Sequence, residues 1–267
     1  MLVMHSEADR PTLPGMFDLS GRVALITGGS RGLGKAIARG FAEAGASLVL
    51  VSRTEDELVW ASDDIERATG AKVACIATDL SRRADISTLA ARALGMFGRI
   101  DVLLNNAGGN QPQPIDAITD EVWDYFLELN LSSCMALTRA LVPQMKERRW
   151  GRVIYTSSLL GFTSVAGRSV YSATKTALLG LARANAIDLG PFGITVNCLA
   201  PGPFSTELSA ANFSQEARER FASRTALGRW GETHELVGPA LLLASEAGSY
   251  ITGTALIVDG GALVKML

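Results

Sequence analysis

Tyr171 and Lys175 stand four residues apart in Val170-Tyr171-Ser172-Ala173-Thr174-Lys175, and Ser158 lies thirteen residues before the tyrosine. Four residues is about one helical turn, so both side chains project from one helix face. An ammonium beside a phenol favours the ionised phenol, because opposite charges a few ångström apart stabilise each other. A phenol so placed can exchange a proton with an alcohol or carbonyl oxygen. A YxxxK pair also arises by chance on solvated helices, so its meaning depends on what surrounds it.

A second constellation lies near the amino end, in Thr27-Gly28-Gly29-Ser30-Arg31-Gly32-Leu33-Gly34. It follows the apolar run Arg22-Val23-Ala24-Leu25-Ile26, which reads as a buried strand. It precedes Lys35 to Ala44, where apolar residues recur at helical spacing. Strand, glycine turn and helix form the context of a dinucleotide site. Glycines let backbone approach a pyrophosphate, and a helix amino terminus offers free N–H groups and a partial positive charge. A bland alternative has the glycines merely tightening a strand-to-helix turn.

The elements that must position these groups can be read along the chain. Strands are expected at 47–52, 72–78, 100–105, 152–157, 194–200 and 255–258, with helices at about 55–69, 82–97, 119–148 and 169–189. Near-continuous apolar strands separated by helices argue for a parallel sheet covered on both faces. With right-handed crossovers this is an α/β, doubly wound Rossmann sheet of seven parallel strands in a single domain. Its ligand belongs at the carboxyl ends of the strands, where both constellations fall. Residues 1–16, with Pro11, Pro14 and Gly15, read as a flexible tail, and residues 17–267 as the folded domain. The long connection at about 203–230 reads as a substrate-covering lid, against an inert surface insertion.

Four motifs in register resemble the short-chain dehydrogenase/reductase family: the TGxxxGxG loop, Asn105-Asn106-Ala107-Gly108, the Ser158/Tyr171/Lys175 set, and Pro201-Gly202. The resemblance implies a catalytic tetrad of Asn130, Ser158, Tyr171 and Lys175. Ser158 would polarise the substrate carbonyl, in preference to the adjacent Ser157. Tyr171 would carry the proton, Lys175 would stabilise it and reach the nicotinamide ribose, and Asn130 would position a water leading to solvent. It also implies cofactor contacts from Gly28, Ser30, Arg31, Gly32, Leu33, Gly34, Asn106, Ala107, Gly108, Pro201, Gly202 and Thr206. Asp79 and Leu80 follow the third strand, and Asp79 is either an adenine contact or a helix N-cap. Asn105 is read as a buried amide holding strands together.

The end of the second strand separates the two nicotinamide dinucleotides. Family members selective for NAD place an acid there; this chain has Ser52-Arg53, with Arg31 in the glycine loop. Guanidinium groups bind phosphate through charged hydrogen bonds, so the pair points to NADP(H), unless either arginine is a plain surface residue. The carboxyl-terminal stretch Gly228-Arg229-Trp230-Gly231-Glu232 and its continuation resemble the gluconate 5-dehydrogenase branch, which suggests a keto-sugar acid or polyol; a 3-oxoacyl thioester reductase is the alternative. Gly109, Gln111, Leu160, Phe162, Phe204 and Phe213 are expected to line the pocket, and Arg168 either meets a polar substrate or lies on the surface. A reading from another class, a nucleotide-binding regulator without turnover, would require loss of a tetrad member, and all four are present.

Composition excludes other classes. The 267 residues carry a formal charge of −2, with no basic block or aromatic–basic stripe that would bind nucleic acid. No apolar run approaches the ~18 residues of a membrane span. Cys75, Cys134 and Cys198 are odd in number and set in apolar segments, which fits reduced packing residues of a cytoplasmic protein. Two distant histidines, His5 and His234, suggest no metal centre. Homotetramers, sometimes dimers, are the family's usual assemblies.

Overall fold

The computed structural model describes residues 12–207 and 214–265. Seven parallel strands form one sheet: β1 (Val23–Thr27), β2 (Ser47–Ser52), β3 (Val73–Ala77), β4 (Val102–Asn105), β5 (Gly151–Thr156), β6 (Ile194–Pro201) and, after a two-stranded pair of β7 (Phe204–Ser205) and β8 (Gly231–Glu232), β9 (Ala255–Val258). The spatial order is β3-β2-β1-β4-β5-β6-β9. The chain therefore moves outward from β1 to β3, returns beside β1 as β4, and continues the other way. That reversal opens a crevice above the carboxyl ends of β1 and β4, paired through Ala24–Val102 to Ile26–Leu104.

The strands are apolar throughout because both faces are covered. In β1, Val23 and Leu25 enter one core while Ala24 and Ile26 enter the other, as the two-residue strand period requires. The first core is closed by α4 (Ile86–Phe97), α6 (Ser133–Arg148) and α7 (Ser169–Leu189). The second lies under α2 (Gly32–Glu43), α3 (Glu55–Thr69) and α9 (Val237–Ala244). The architecture is the expected doubly wound sheet.

Two expectations are corrected in detail. The helical stretch at 119–148 is broken into α5 (Asp120–Leu127), a π-helical turn at Glu128–Ser132, and α6. Residues 13–16 of the expected tail form α1 (Leu13–Met16), a single turn whose N-cap Thr12 accepts from Gly15 N–H at 3.3 Å. Within the expected lid, α8 (Gln215–Ser223) is capped by Ser214, and Trp230 donates to the Arg218 carbonyl. Phe213 and His5 lie outside the described residues.

Candidate active site

Tyr171 stands in the first turn of α7, half-buried, at the carboxyl end of β5. Lys175, one turn on, is only 3% exposed. Its Nζ lies 5.6 Å from the Tyr171 ring centroid and donates to the Thr156 carbonyl at 2.7 Å. The last residue of β5 thus fixes the ammonium beneath the phenol. The two adjacent serines have different partners. Ser157 donates its hydroxyl to the Lys175 carbonyl at 2.8 Å, tying helix to strand. Ser158 accepts from Leu160 N–H at 3.1 Å and keeps its own proton for another acceptor. A second tyrosine nearby, Tyr155, is unsuited to proton transfer. Burial pushes its phenol far above the ordinary range, although hydrogen bonds with Thr138 and Asn185 oppose the rise. Burial likewise pushes the Cys198 thiol up to about 12, against the opposing charge of Lys175.

Asn130 is fully buried in the π turn. Its Oδ1 accepts from Gly109 N–H at 2.9 Å, and its Nδ2 donates to the Gly109 carbonyl at 3.0 Å and to Thr174 Oγ1 at 3.3 Å. Thr174 in turn donates to the Tyr171 carbonyl at 2.9 Å. The extra residue of the π turn swings this amide inward, a local distortion common at functional sites. A β-carbon at Gly108 would lie 3.1 Å from Asn130 Oδ1 and 3.3 Å from Lys175 Nζ. Asn130 and Lys175 therefore flank the same bare stretch of backbone.

The glycine loop sits over the β1–β4 crevice. A β-carbon at Gly34 would be 2.1 Å from the Gly28 carbonyl oxygen, so only glycine lets the loop fold onto its helix. Arg31 caps α2 without a side-chain bond to its N–H groups, and Gly32 faces nothing nearer than Thr206, 3.7 Å from its notional β-carbon. Thr27, which the sequence argument did not single out, accepts from the N–H groups of Asn106 and Ala107 at 2.9 and 3.0 Å. The Asn106 amide donates to the carbonyls of Thr27 and Gly28, so this side chain braces the loop. Asn105 donates to Thr138 of α6 at 3.4 Å from within the core, so its amide ties the sheet to a helix and not one strand to the next. Pro201 ends β6, and Gly202 packs against Asp259.

Farther out, Ser30, Arg31, Ser52 and Arg53 line the far end of the crevice. Arg53 donates to the Tyr125 hydroxyl at 3.2 Å, and Ser52 to the Thr54 carbonyl at 3.2 Å. Asp79 accepts from both Ser81 N–H and Ser81 Oγ through one oxygen, a turn within its own loop; the N-caps of the helical turns that follow are Arg82 and Asp85, so Asp79 is not a helix cap. Leu80 is a core residue, so only its backbone faces the crevice. Uncapped helix N–H groups, a bare glycine and two guanidiniums together fit a dinucleotide carrying an extra phosphate.

The short chain dehydrogenase family model matches residues 22–217. The chain belongs to this family. Gluconate 5-dehydrogenase of Gluconobacter oxydans is 36% identical over 254 residues, 95% of this chain and 99% of that protein. The 3-oxoacyl-[acyl-carrier-protein] reductase of Aquifex aeolicus is 32% identical, over 91% of this chain and 98% of that one. The crystal structure of a gluconate 5-dehydrogenase from Burkholderia cenocepacia, in complex with NADP and tartrate, superposes with a TM-score of 0.90 at 34% identity, covering 96% of this chain and all of that one. The short-chain dehydrogenase is thus an enzyme of the oxidoreductase class.

The presumed pocket residues divide. Gly109 is held by Asn130, and Leu160 and Phe162 sit beside Ser158, with Phe162 largely exposed. Phe204 is instead a core residue: it packs against Gly231 across the β7–β8 pair, where a β-carbon would meet its ring. Arg168 precedes α7, half-buried, with no side-chain partner among the described residues. Gln113, which sequence reasoning missed, bonds the Gly167 carbonyl through its N–H at 3.1 Å, and its buried side-chain oxygen has no hydrogen-bond partner. Among the described residues no cluster of His, Cys, Asp or Glu is placed to hold a metal, and no helix is long and apolar enough to cross a membrane.

Proposed function

We propose that this short-chain dehydrogenase interconverts a carbonyl and a secondary alcohol with NADP(H), on a keto-sugar acid or polyol. The observation that carries the reading is Lys175, buried beneath Tyr171 and anchored on Thr156, with Ser158 beside them. The bound dinucleotide supplies the hydride donor or acceptor. Ser158 donates its hydroxyl to the substrate oxygen and orients it. Tyr171 gives a proton to that oxygen as it gains negative charge, or takes one from the alcohol in the reverse direction. Lys175 holds positive charge under the phenol throughout, and its other N–H groups reach toward the ribose side of the crevice. Asn130, through Gly109 and the π turn, keeps the backbone around Gly108 open for a water between Lys175 and solvent. The enzyme works as a homotetramer or dimer in the cytoplasm, with the described parts of the expected lid, 203–207 and 214–230, covering the substrate.

Arg31 and Arg53 are the groups for the 2′-phosphate, with Ser30 and Ser52 alongside. Arg53→Asp removes a charge-assisted contact worth about 1.5–3 kcal/mol. Steady-state kinetics with both cofactors should show the NADPH preference falling at least ~10-fold. An unchanged ratio places the phosphate elsewhere.

Arg168 is the candidate partner for a substrate carboxylate, since it stands three residues before Tyr171 without a counter-ion among the described residues. Arg168→Ala should raise KM for 5-keto-gluconate roughly 10-fold or more and spare a neutral ketose. Equal effects on both would remove it from carboxylate recognition. The experiment for the whole reading follows NADPH and NADH oxidation over 5-keto-gluconate, neutral ketoses and β-ketoacyl thioesters. Turnover on the sugar derivatives supports it; turnover confined to the thioesters assigns the 3-oxoacyl branch instead.

A further inference from the structure

The far end of the cofactor crevice holds an acid as well as two arginines. Glu57 lies in the first turn of α3, yet its carboxylate faces the glycine loop. Glu57 Oε2 accepts from Ser30 Oγ at 3.0 Å, and Oε1 lies 3.6 Å from Arg31 Nη1. Ser30 is buried, while Arg31 and Glu57 are each about half exposed. Arg53 is turned toward the Tyr125 hydroxyl and Lys35 toward Asp64, so neither neutralises this carboxylate by direct contact. Two of the anion-binding groups, both in the glycine loop after β1, are therefore already met by an anion belonging to the protein.

We propose that Glu57 is a specificity-determining residue: its carboxylate competes with the cofactor's 2′-phosphate for Ser30 and Arg31, and so narrows the enzyme's discrimination between NADPH and NADH. The inference rests on the reading above that the phosphate lies among Ser30, Arg31, Ser52 and Arg53. An incoming phosphate must take the Ser30 hydroxyl and the Arg31 guanidinium from Glu57, and it then sits near a like charge. Two unit-scale charges ~6–7 Å apart in a solvent-like dielectric repel by about the energy of a threefold change in binding. A cofactor without the phosphate brings only an uncharged hydroxyl into this corner and leaves the Ser30–Glu57–Arg31 contacts in place. Glu57 thus penalises one cofactor and not the other. As an acid in a helix's first turn it also complements the helix dipole, which acts on α3 and not on cofactor choice.

The test is Glu57→Gln, which keeps size and a hydrogen-bond acceptor for Ser30 while removing the charge, with Glu57→Ala as the second variant. Fluorescence titration of each protein with NADPH and with NADH gives separate dissociation constants. The expected result is NADPH binding about threefold tighter and NADH binding unchanged in both variants. Weaker NADPH binding would overturn the inference and make Glu57 a positioning group for Arg31. Equal shifts for both cofactors would also overturn it, because a loosened α3 affects the whole site. Arg31→Ala and Arg53→Ala are titrated in parallel. If neither lowers the NADPH/NADH ratio, the phosphate assignment itself fails; if they lower it while the Glu57 variants do nothing, only the competition fails.

Discussion

Replacing Tyr171 with phenylalanine is expected to lower kcat and kcat/KM together by roughly 10²–10⁴-fold, the range for loss of a positioned acid–base group. The ring stays, and with it the packing of the first turn of α7 against the loop after β5. The Lys175 ammonium stays too, since it is held by the Thr156 carbonyl and not by the phenol. Ser157 still ties the helix to the strand through the Lys175 carbonyl. NADPH titration and thermal melting should therefore read close to wild type while single-turnover oxidation of NADPH collapses. A substitution that removes only a transition-state interaction lowers both kinetic constants equally. Retained turnover would end the proton-transfer role of Tyr171. A rise in KM alone would make the hydroxyl a binding contact. The comparison with Tyr155→Phe is informative: that phenol is buried among Thr138 and Asn185, so its loss should register in stability and not in turnover.

How far this site could be read from residues alone depended on whether a group's partners lie near it in sequence. The glycine loop, the four-residue spacing of Tyr171 and Lys175, and the apolar strands each state their purpose within a few positions. β1 is a case in point: its alternate residues feed two separate cores, and its apolar run predicts just that burial on both faces. Asn130 is the opposite case. The residues around it have helical periodicity on both sides, and the π turn is satisfied by Gly109 and Thr174, 21 and 44 positions away. Phe204 is among the expected pocket residues; its place is decided by Gly231, on a strand that pairs with it across the lid segment. Glu57 looks like an ordinary first-turn acid until α3 is packed beside the glycine loop. Thr27 and Asn106 similarly act across the β1–β4 junction, a contact that only the order of strands creates.

The largest stability effect is expected at Asp101, at the opposite end of the sheet from the chemistry. Its carboxylate is fully buried and accepts from Val23 N–H at 2.9 Å and from Arg99 Nε at 2.8 Å. Arg148 and Arg22 approach the same group at 3.5 and 3.9 Å. Its backbone pairs with Val23 and Arg152, so one residue joins the feet of β1, β4 and β5. Three guanidiniums converge on a single anion. Burial pulls the Arg148 guanidinium down, and the Asp101 charge is the main influence holding it up. Asp101→Ala leaves these cations facing one another and strips Val23 of its acceptor. Removing one partner of a buried charge cluster costs about 3–5 kcal/mol. At roughly 2–4 °C per kcal/mol for a chain of this size, melting should fall by about 6–20 °C. Asp101→Asn keeps an acceptor for Val23 but not the charge, so the loss it shows belongs to the arginines, and any further loss in Asp101→Ala belongs to the Val23 bond. Equal losses would assign the whole effect to charge. The crevice lies at the far ends of these strands, so turnover per folded molecule, measured well below the melting range, should match wild type in both variants. A large fall in kcat with an unchanged melting temperature would contradict this division of the sheet into a structural foot and a chemical head.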